Sequence, residues 1–343
     1  MSEGGARIPY PFHAYAWQQE IWQRLTGLAT SSRLPHALLL AGPAGIGKGR
    51  LAQAFTAWLL CHAAQPQGGC GRCKSCSLLA AGTHPDILTL APETDPKTEK
   101  TAKVIKVDQV REVVDFAEKS AQLGGYRVVH VEPAHLLNVQ AANALLKTLE
   151  EPGRQTLIML LSSQPLSLPA TIRSRCQQVA LPLPSQIDAL AWLAPQLGSD
   201  ESARLLLGLA DGAPLAALVL RDSLWFGERE RLLKDLVGLR EGRAGPLAVA
   251  QRWHGLGAEA VLQALASIAE DIALLASGAT VARHRDLAPI IAAVARQVTP
   301  AGILRFRQGL AEKQRLLSGN IQGNVLLDAT FSEWGRLAQS RPE

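Results

Sequence analysis

Two stretches of this 343-residue chain carry residue types whose spacing could do chemistry. In the first, Gly42, Gly45 and Gly47 lead to Lys48 with the spacing G-x-x-x-x-G-K. Glycines let successive backbone N–H groups curl around phosphate oxygens, and a helix that starts behind them adds positive potential at the same spot. The next position should be Ser or Thr, whose hydroxyl ligates Mg²⁺ beside the phosphates. Here it is Gly49. ATP or ADP, if held at Gly42, Gly45, Gly47 and Lys48, would be held without the usual protein ligand to the metal.

The second stretch is Cys61-x8-Cys70-x2-Cys73-x2-Cys76, with Gly68, Gly69 and Gly71 supplying tight turns between the thiols. Four thiolates suit a tetrahedral Zn²⁺, and a site filled by four protein ligands is structural because it leaves no position for water. Disulfides and ordinary buried thiols are the alternatives; redox chemistry of C-x-x-C lacks its usual βαβ setting. His62 and His84 could replace a cysteine, but four thiolates already complete the site. The fifth cysteine, Cys176, reads as a packed core thiol.

Hydrolysis of ATP also needs an acid at a strand end to hold Mg²⁺ and a group to orient the attacking water. The apolar run Arg127–Val131 ends in Glu132-Pro133. Glu132 could approach a metal through water, whereas Pro133 cannot act as a base. Losing a positioned base typically costs about 10²–10⁴ in rate. With Gly49 as well, the expectation is a chain that does not hydrolyse ATP on its own.

These residues must be positioned by the surrounding elements. Apolar runs at Ala37–Ala41, Ile87–Leu90, Arg127–Val131, Thr156–Leu161 and Gln177–Leu181 read as strands of a buried parallel sheet. Helical periodicity separates them: Ala16–Thr30, a helix from Arg50 to Leu60, Gln109–Gln122 with Asp108 as N-cap and Gly124-Gly125 as its end, and Asn138–Glu151. Pro92 to Lys106 is polar and reads as a loop. Strand–helix alternation of this kind implies a three-layer α/β domain. After Pro182 no strand pattern remains; Pro182, Pro184 and Pro195 mark a junction, and Ala258–Ser277, Leu287–Val298, Ala301–Leu317 and Val325–Gln339 have helical faces. The expected division is 1–182, a small helical domain over 183–224, and a larger helical domain over 225–343. A formal charge of +5 and a pI near 9.1 favour an anionic partner only mildly. No apolar run approaches a membrane span and the start is polar, so the expected location is the cytoplasm.

Further stretches resemble the AAA+ clamp-loader family of bacterial DNA polymerase III, in the pattern of its delta-prime members. They are Cys61…Cys76 with Ala81-Gly82-Thr83-His84-Pro85-Asp86; Ala141 to Pro152, which contains Leu145-Leu146-Lys147-Thr148-Leu149-Glu150-Glu151-Pro152; and Leu168 to Cys176, which ends in Ser174-Arg175-Cys176. The resemblance covers about half of the chain. It implies an AAA+ P-loop domain with a zinc module over 61–76, a helical lid and a C-terminal helical collar for oligomerisation. It implies that Arg175 is an arginine finger acting in trans on a neighbouring motor subunit's ATP; pairing with a local carboxylate is the plainer reading. It places Lys147 on a helix facing a central channel, where it would touch the DNA backbone, unless it is a solvated lysine offsetting Glu150 and Glu151. Ser162-Ser163 falls where active relatives have a sensor residue, and Leu215 in Gly212-Ala213-Pro214-Leu215 stands about where they have an arginine. The implied partners are gamma/tau motor subunits, the delta subunit, primed DNA and, indirectly, the sliding clamp. The implied role is a subunit of the polymerase holoenzyme that helps load the clamp without hydrolysing ATP; no paired-carboxylate centre for nucleotidyl transfer is visible. An active motor with an unusual Mg²⁺ shell and a zinc-dependent nucleic-acid-binding module are the competing readings.

Overall fold

The computed structural model describes residues 10–94, 102–279, 283–317 and 321–337. Two compact units divide between Ala189 and Leu190. The first is built on strands β1 (Ala37–Ala41), β2 (Ile87–Leu90), β3 (Arg127–Val131), β4 (Thr156–Ser162) and β5 (Gln177–Ala180), all parallel in the order β2-β3-β4-β1-β5. Every residue of β1, β3 and β4 is buried, as strands covered on both faces must be. Helices α1 (Gln19–Thr30), α2 (Lys48–Leu60), α3 (Lys74–Ala81), α4 (Val107–Ala117), α5 (Val139–Glu150) and α6 (Ala170–Arg173) fill the connections. On one face, Val110 and Val113 of α4 and Ala141, Leu145 and Leu149 of α5 pack with Leu39, Val129, Ile158 and Leu160 of the sheet. Helix α2 covers the other face, where Thr56 meets His130 of β3. The layers are therefore helix, sheet and helix.

His130 lies wholly inside this unit, its Nε2 2.8 Å from Thr56 Oγ1, and burial pushes its pKa down to about 4. A histidine held neutral in the fold contributes stability that is fully present above its unfolded value near 6.5 and is lost as the pH falls toward 4. The shift corresponds to about 3 kcal/mol. Urea unfolding followed from pH 6.5 to 4 should show this slope in the native chain and a shallower one in His130→Gln; equal slopes would contradict it.

The strand expectations agree with the structure to within a residue, whereas several helix boundaries differ: α2 begins at Lys48, the helix expected over Leu287–Val298 ends at Ala295, the one expected from Val325 begins at Gly323, and both ends of α4 move. Asp108 is not the N-cap of α4: Lys106 holds that position, and Asp108 sits in the first turn, 2.7 Å from Arg111. The helix ends at Ala117 rather than Gln122. The reason is tertiary, because the Asp86 carboxylate accepts the backbone N–H groups of Gln122 (2.7 Å) and Leu123 (2.9 Å). Thr156 Oγ1 also donates to Ala117 O at 3.2 Å. Gly124 and Gly125, both left-handed, then turn the chain toward β3. Pro195 does not mark a break; it lies inside α7 (Gln186–Leu197) and forgoes the bond its absent N–H cannot make. Residues 95–101 of the expected polar loop and 338–339 of the last expected helix lie outside the described residues.

The second unit is helical: α8 (Asp200–Leu209), α9 (Pro214–Arg221), α10 (Leu224–Arg240), α11 (Pro246–Trp253), α12 (Ala258–Ala276), α13 (Ala288–Ala295), α14 (Pro300–Leu317) and α15 (Gly323–Leu337). Helix α12 is its axis, with Val261, Leu262, Leu265, Ile268 and Ile272 buried and α10, α13, α14 and α15 packed around it. Its buried Asp271 accepts the N–H groups of Arg283 (2.9 Å) and His284 (2.8 Å), pinning the chain that returns toward α13. Among the described residues no single helix is long and apolar enough to cross a membrane.

Candidate nucleotide pocket and metal centre

The phosphate-type loop lies where a ligand site is expected in such sheets, beyond the carboxyl ends of the parallel strands. Strand β1 runs into the loop 42–47, β3 delivers Glu132, and β4 ends at Ser162. Two of the glycines are obligatory. A Cβ at Gly42 would stand 2.3 Å from Leu181 O, and Gly47 has φ +91° with the Tyr15 ring 2.6 Å from where its Cβ would be. The loop is closed by the chain's own groups. Lys48 Nζ donates to Gly42 O (2.9 Å) and Pro43 O (2.6 Å), so two of its three donors are turned onto loop carbonyls. Gln18 Nε2 donates to Ile46 O (3.2 Å) and Gly47 O (2.9 Å), and Trp17 Nε1 to Ile46 O (3.1 Å). Nothing in the spacing of Tyr15, Trp17 and Gln18 pointed to this contact.

The Glu132 carboxylate stands against Gly49. A Cβ at Gly49 would lie 2.9 Å from its Oε1, so any side chain there would have to push the carboxylate aside. Burial pushes the Glu132 carboxyl up and Lys48 pulls it down; burial lowers the Lys48 ammonium and Glu132 raises it. His135, 3.4 Å from Ser162 Oγ, has its pKa lowered by burial and then by Lys48. Leu215 lies in the first turn of α9, in the second unit. From this geometry, Gly49→Ser alone should leave ATP affinity in the presence of Mg²⁺ within about tenfold of the native value, because the added side chain must first push the Glu132 carboxylate aside. Titration calorimetry that shows a larger gain would contradict the account.

The four cysteines come together as their spacing suggests. Their sulfurs all lie within 4.8 Å of one another, with Cys61–Cys73 at 3.8 Å and Cys70–Cys76 at 4.0 Å. Tetrahedral zinc with bonds of about 2.3 Å requires sulfurs about 3.8 Å apart, so the donor set fits that ion. A disulfide needs about 2.05 Å, and all five cysteines are free. Backbone N–H groups point at the sulfurs: those of Ala63 and Cys70 at Cys61, and that of Cys73 at Cys70. The N–H groups of Arg72 and Cys73 hold the Cys70 thiol down at about 6, within the thiolate range at neutral pH. A metal bound by Cys61, Cys70, Cys73 and Cys76 would be structural. His84 is turned away from the sulfurs, its Nε2 2.9 Å from Ser75 Oγ and its Nδ1 accepting the N–H of Asp86. Cys176 packs against the core of the sheet, and burial pushes its thiol up to about 12.

Arg175 stands between α6 and β5, two-thirds buried, and pairs with Glu150 at the end of α5: its Nε donates to Glu150 Oε1 at 2.6 Å. Within this chain the local carboxylate weighed for Arg175 is therefore Glu150. Lys147 is exposed on the solvent face of α5, which also carries Val139, Asn143 and Glu150. It sits one turn before Glu150 and far along the helix from the P-loop end of the sheet.

A family profile described as DNA polymerase III, delta subunit, matches residues 17–185. DNA polymerase III subunit delta' of Pseudomonas aeruginosa is 45% identical over 71% of this chain and 72% of its own length. The subunit of the same name from Escherichia coli is 37% identical over 84% of each chain. That from Yersinia pestis is 35% identical over 93% of this chain and 95% of its own. The α/β sheet with its P-loop-type turn and helical second unit is the AAA+ arrangement, and on these similarities the chain belongs to the DNA polymerase III delta' family.

Proposed function

We propose that this chain is a non-hydrolysing subunit of the clamp loader of a bacterial replicative polymerase, and that it donates Arg175 to the ATP site of a neighbouring motor subunit. One observation carries the reading: the P-loop lacks a hydroxyl at Gly49 and its Lys48 is tied to loop carbonyls, while Arg175 keeps about a third of its side chain accessible. Lys48 gives two of its three donors to Gly42 and Pro43, and the Glu132 carboxylate crowds Gly49, which supports a pocket that does not turn ATP over. The partners on this reading are gamma/tau-type motor subunits and a delta subunit, with primed DNA in the channel lined by Lys147 and the sliding clamp as the object loaded. Within the second unit, the division into a lid up to residue 224 and a collar from 225 belongs to the same proposal. Leu274, Leu304 and Leu316, 42%, 50% and 45% exposed, support a collar that meets other subunits, because they leave apolar surface on α12 and α14 uncovered.

Co-expression with the cognate tau/gamma and delta chains tests the assembly. The expected outcome is one complex of fixed stoichiometry, retained through ion exchange and gel filtration. Elution of this chain alone from all fractions would refute the proposal.

A further inference from the structure

Glu150 sits at the last helical position of α5, whose Leu145 and Leu149 are buried in the sheet's core, so its Cα is fixed by the rigid part of the unit. Its Oε1 accepts from Arg175 Nε at 2.6 Å and pairs with Nη2 as well. On the other side of the guanidinium, Nη1 donates to Thr171 O at 3.0 Å and reaches Ser174 Oγ at 3.4 Å. The Arg175 backbone is tied too, its N–H donating to Ile172 O at 3.1 Å. A guanidinium has five N–H bonds in one plane. Glu150 uses the edge formed by Nε and Nη2, and Nη1 is held by Thr171 O and, at 3.4 Å, by Ser174 Oγ. The remaining hydrogen of Nη2 lies on the end-on fork, the edge that suits phosphate oxygens, and an incoming phosphate would complete that fork by displacing the long Ser174 contact. The contacts thus fix the plane of the group from two sides, and the weakest of them is the one that competes for its tip.

We infer that Glu150 is a positioning residue: it aims Arg175 at a triphosphate held by another subunit. This rests on the reading of Arg175 as a finger. An arginine with no such partner would sample many rotamers, and a group fixed beforehand in its working geometry loses less on reaching the transition state. Glu150 touches neither nucleotide nor metal on this view and acts only through Arg175. It also defines what the Leu-Glu-Glu-Pro stretch is for at its first glutamate: the helix end must present a carboxylate long enough to meet the arginine that follows α6.

The test uses the complex reconstituted from this chain and its cognate motor and delta subunits, with primed DNA and steady-state ATP turnover as the readout. Glu150→Ala should lower kcat about tenfold with KM for ATP unchanged, the signature of an interaction needed in the transition state and not for substrate binding. Glu150→Gln, which keeps an acceptor oxygen, should lose less. The melting temperature of the isolated chain should be the same for native, Glu150→Ala and Glu150→Gln, since a partly exposed ion pair adds little to folding. Arg175→Ala should be the more severe change, and adding Glu150→Ala to it should change nothing further. If Arg175→Ala lowers turnover but Glu150→Ala leaves it unchanged or raises it, the positioning role is overturned and the finger stands. If neither lowers turnover, the finger reading itself fails. A double variant slower than Arg175→Ala alone would also overturn the inference, because Glu150 would then be acting on something other than Arg175.

Discussion

On the proposed finger role, replacing Arg175 by alanine should reduce ATP turnover at a neighbouring motor subunit's site by about 10³ or more, the range found for arginine fingers elsewhere. The side chain is suited to the task by chemistry that few other residues share. It is always charged, planar, and presents paired donors to the oxygens on which charge develops. For the same reason Arg175→Lys should rescue little, because an ammonium restores the charge without the fork. The fold should not suffer: Arg175 and Glu150 keep 33% and 49% of their side chains accessible, and pairs of this kind contribute at most about 1 kcal/mol. The effect should therefore appear only in the assembled complex, as a fall in its DNA-stimulated ATPase with unchanged subunit content. An Arg175→Ala complex that turns over ATP at the native rate would end the assignment.

Removing the metal should have an effect of similar size on structure. Zinc bound to four thiolates is worth about 10–16 kcal/mol in small zinc-binding peptides, and there that energy is folding energy. In this chain, Cys61 follows α2, Cys73 caps α3 and the buried Cys76 lies within α3, so the ion would join two helices and the turns between them. The module is also tied to its surroundings. Trp22 Nε1 donates to Pro66 O at 2.8 Å, Gly69 N to Phe12 O at 3.2 Å, and His84 meets Ser75. Chelation, or Cys70→Ser with Cys73→Ser, should expose the amides of residues 61–82 to rapid hydrogen exchange and disturb the environments of Trp22 and Trp58. The sheet should persist, because its core residues come from β1, β3, β4, α4 and α5. The purified chain should carry one equivalent of zinc. Burial raises the Cys61 and Cys76 thiols, so the ion must displace their protons and should be lost more readily as the pH falls. Unchanged amide protection after metal removal would refute the structural role.

The parts of this molecule legible in the sequence are those set by local pattern. Five short apolar runs bounded by Gly, Pro and polar residues gave the sheet, and the C-x-x-C spacing brought the right sulfurs together. The end of α4 was not legible, because the decision is made by Asp86 and Thr156, which are distant in sequence and act through hydrogen bonds. Helices α8 to α11 were not placed one by one; they are short or carry charges at irregular intervals, and their boundaries depend on packing within the second unit. Gly49 announced a missing metal ligand, but the structure adds what the spacing could not: the Glu132 carboxylate stands against Gly49, and Gln18 and Trp17 hold the loop's carbonyls. The sequence named no carboxylate for Arg175, and the Glu150-Glu151 pair stood there only beside Lys147; the packing of α5 against α6 selects Glu150.

The claim on which the account turns is that the chain's own pocket is chemically idle. Steady-state ATP hydrolysis by the purified, metal-replete chain with Mg²⁺ and primed DNA, free of other subunits, tests it most directly. The account predicts no turnover above that of a control with Lys48→Ala. Lys48-dependent turnover near about 1 s⁻¹, at the lower end of ordinary enzymes, would contradict it and make this chain a motor in its own right.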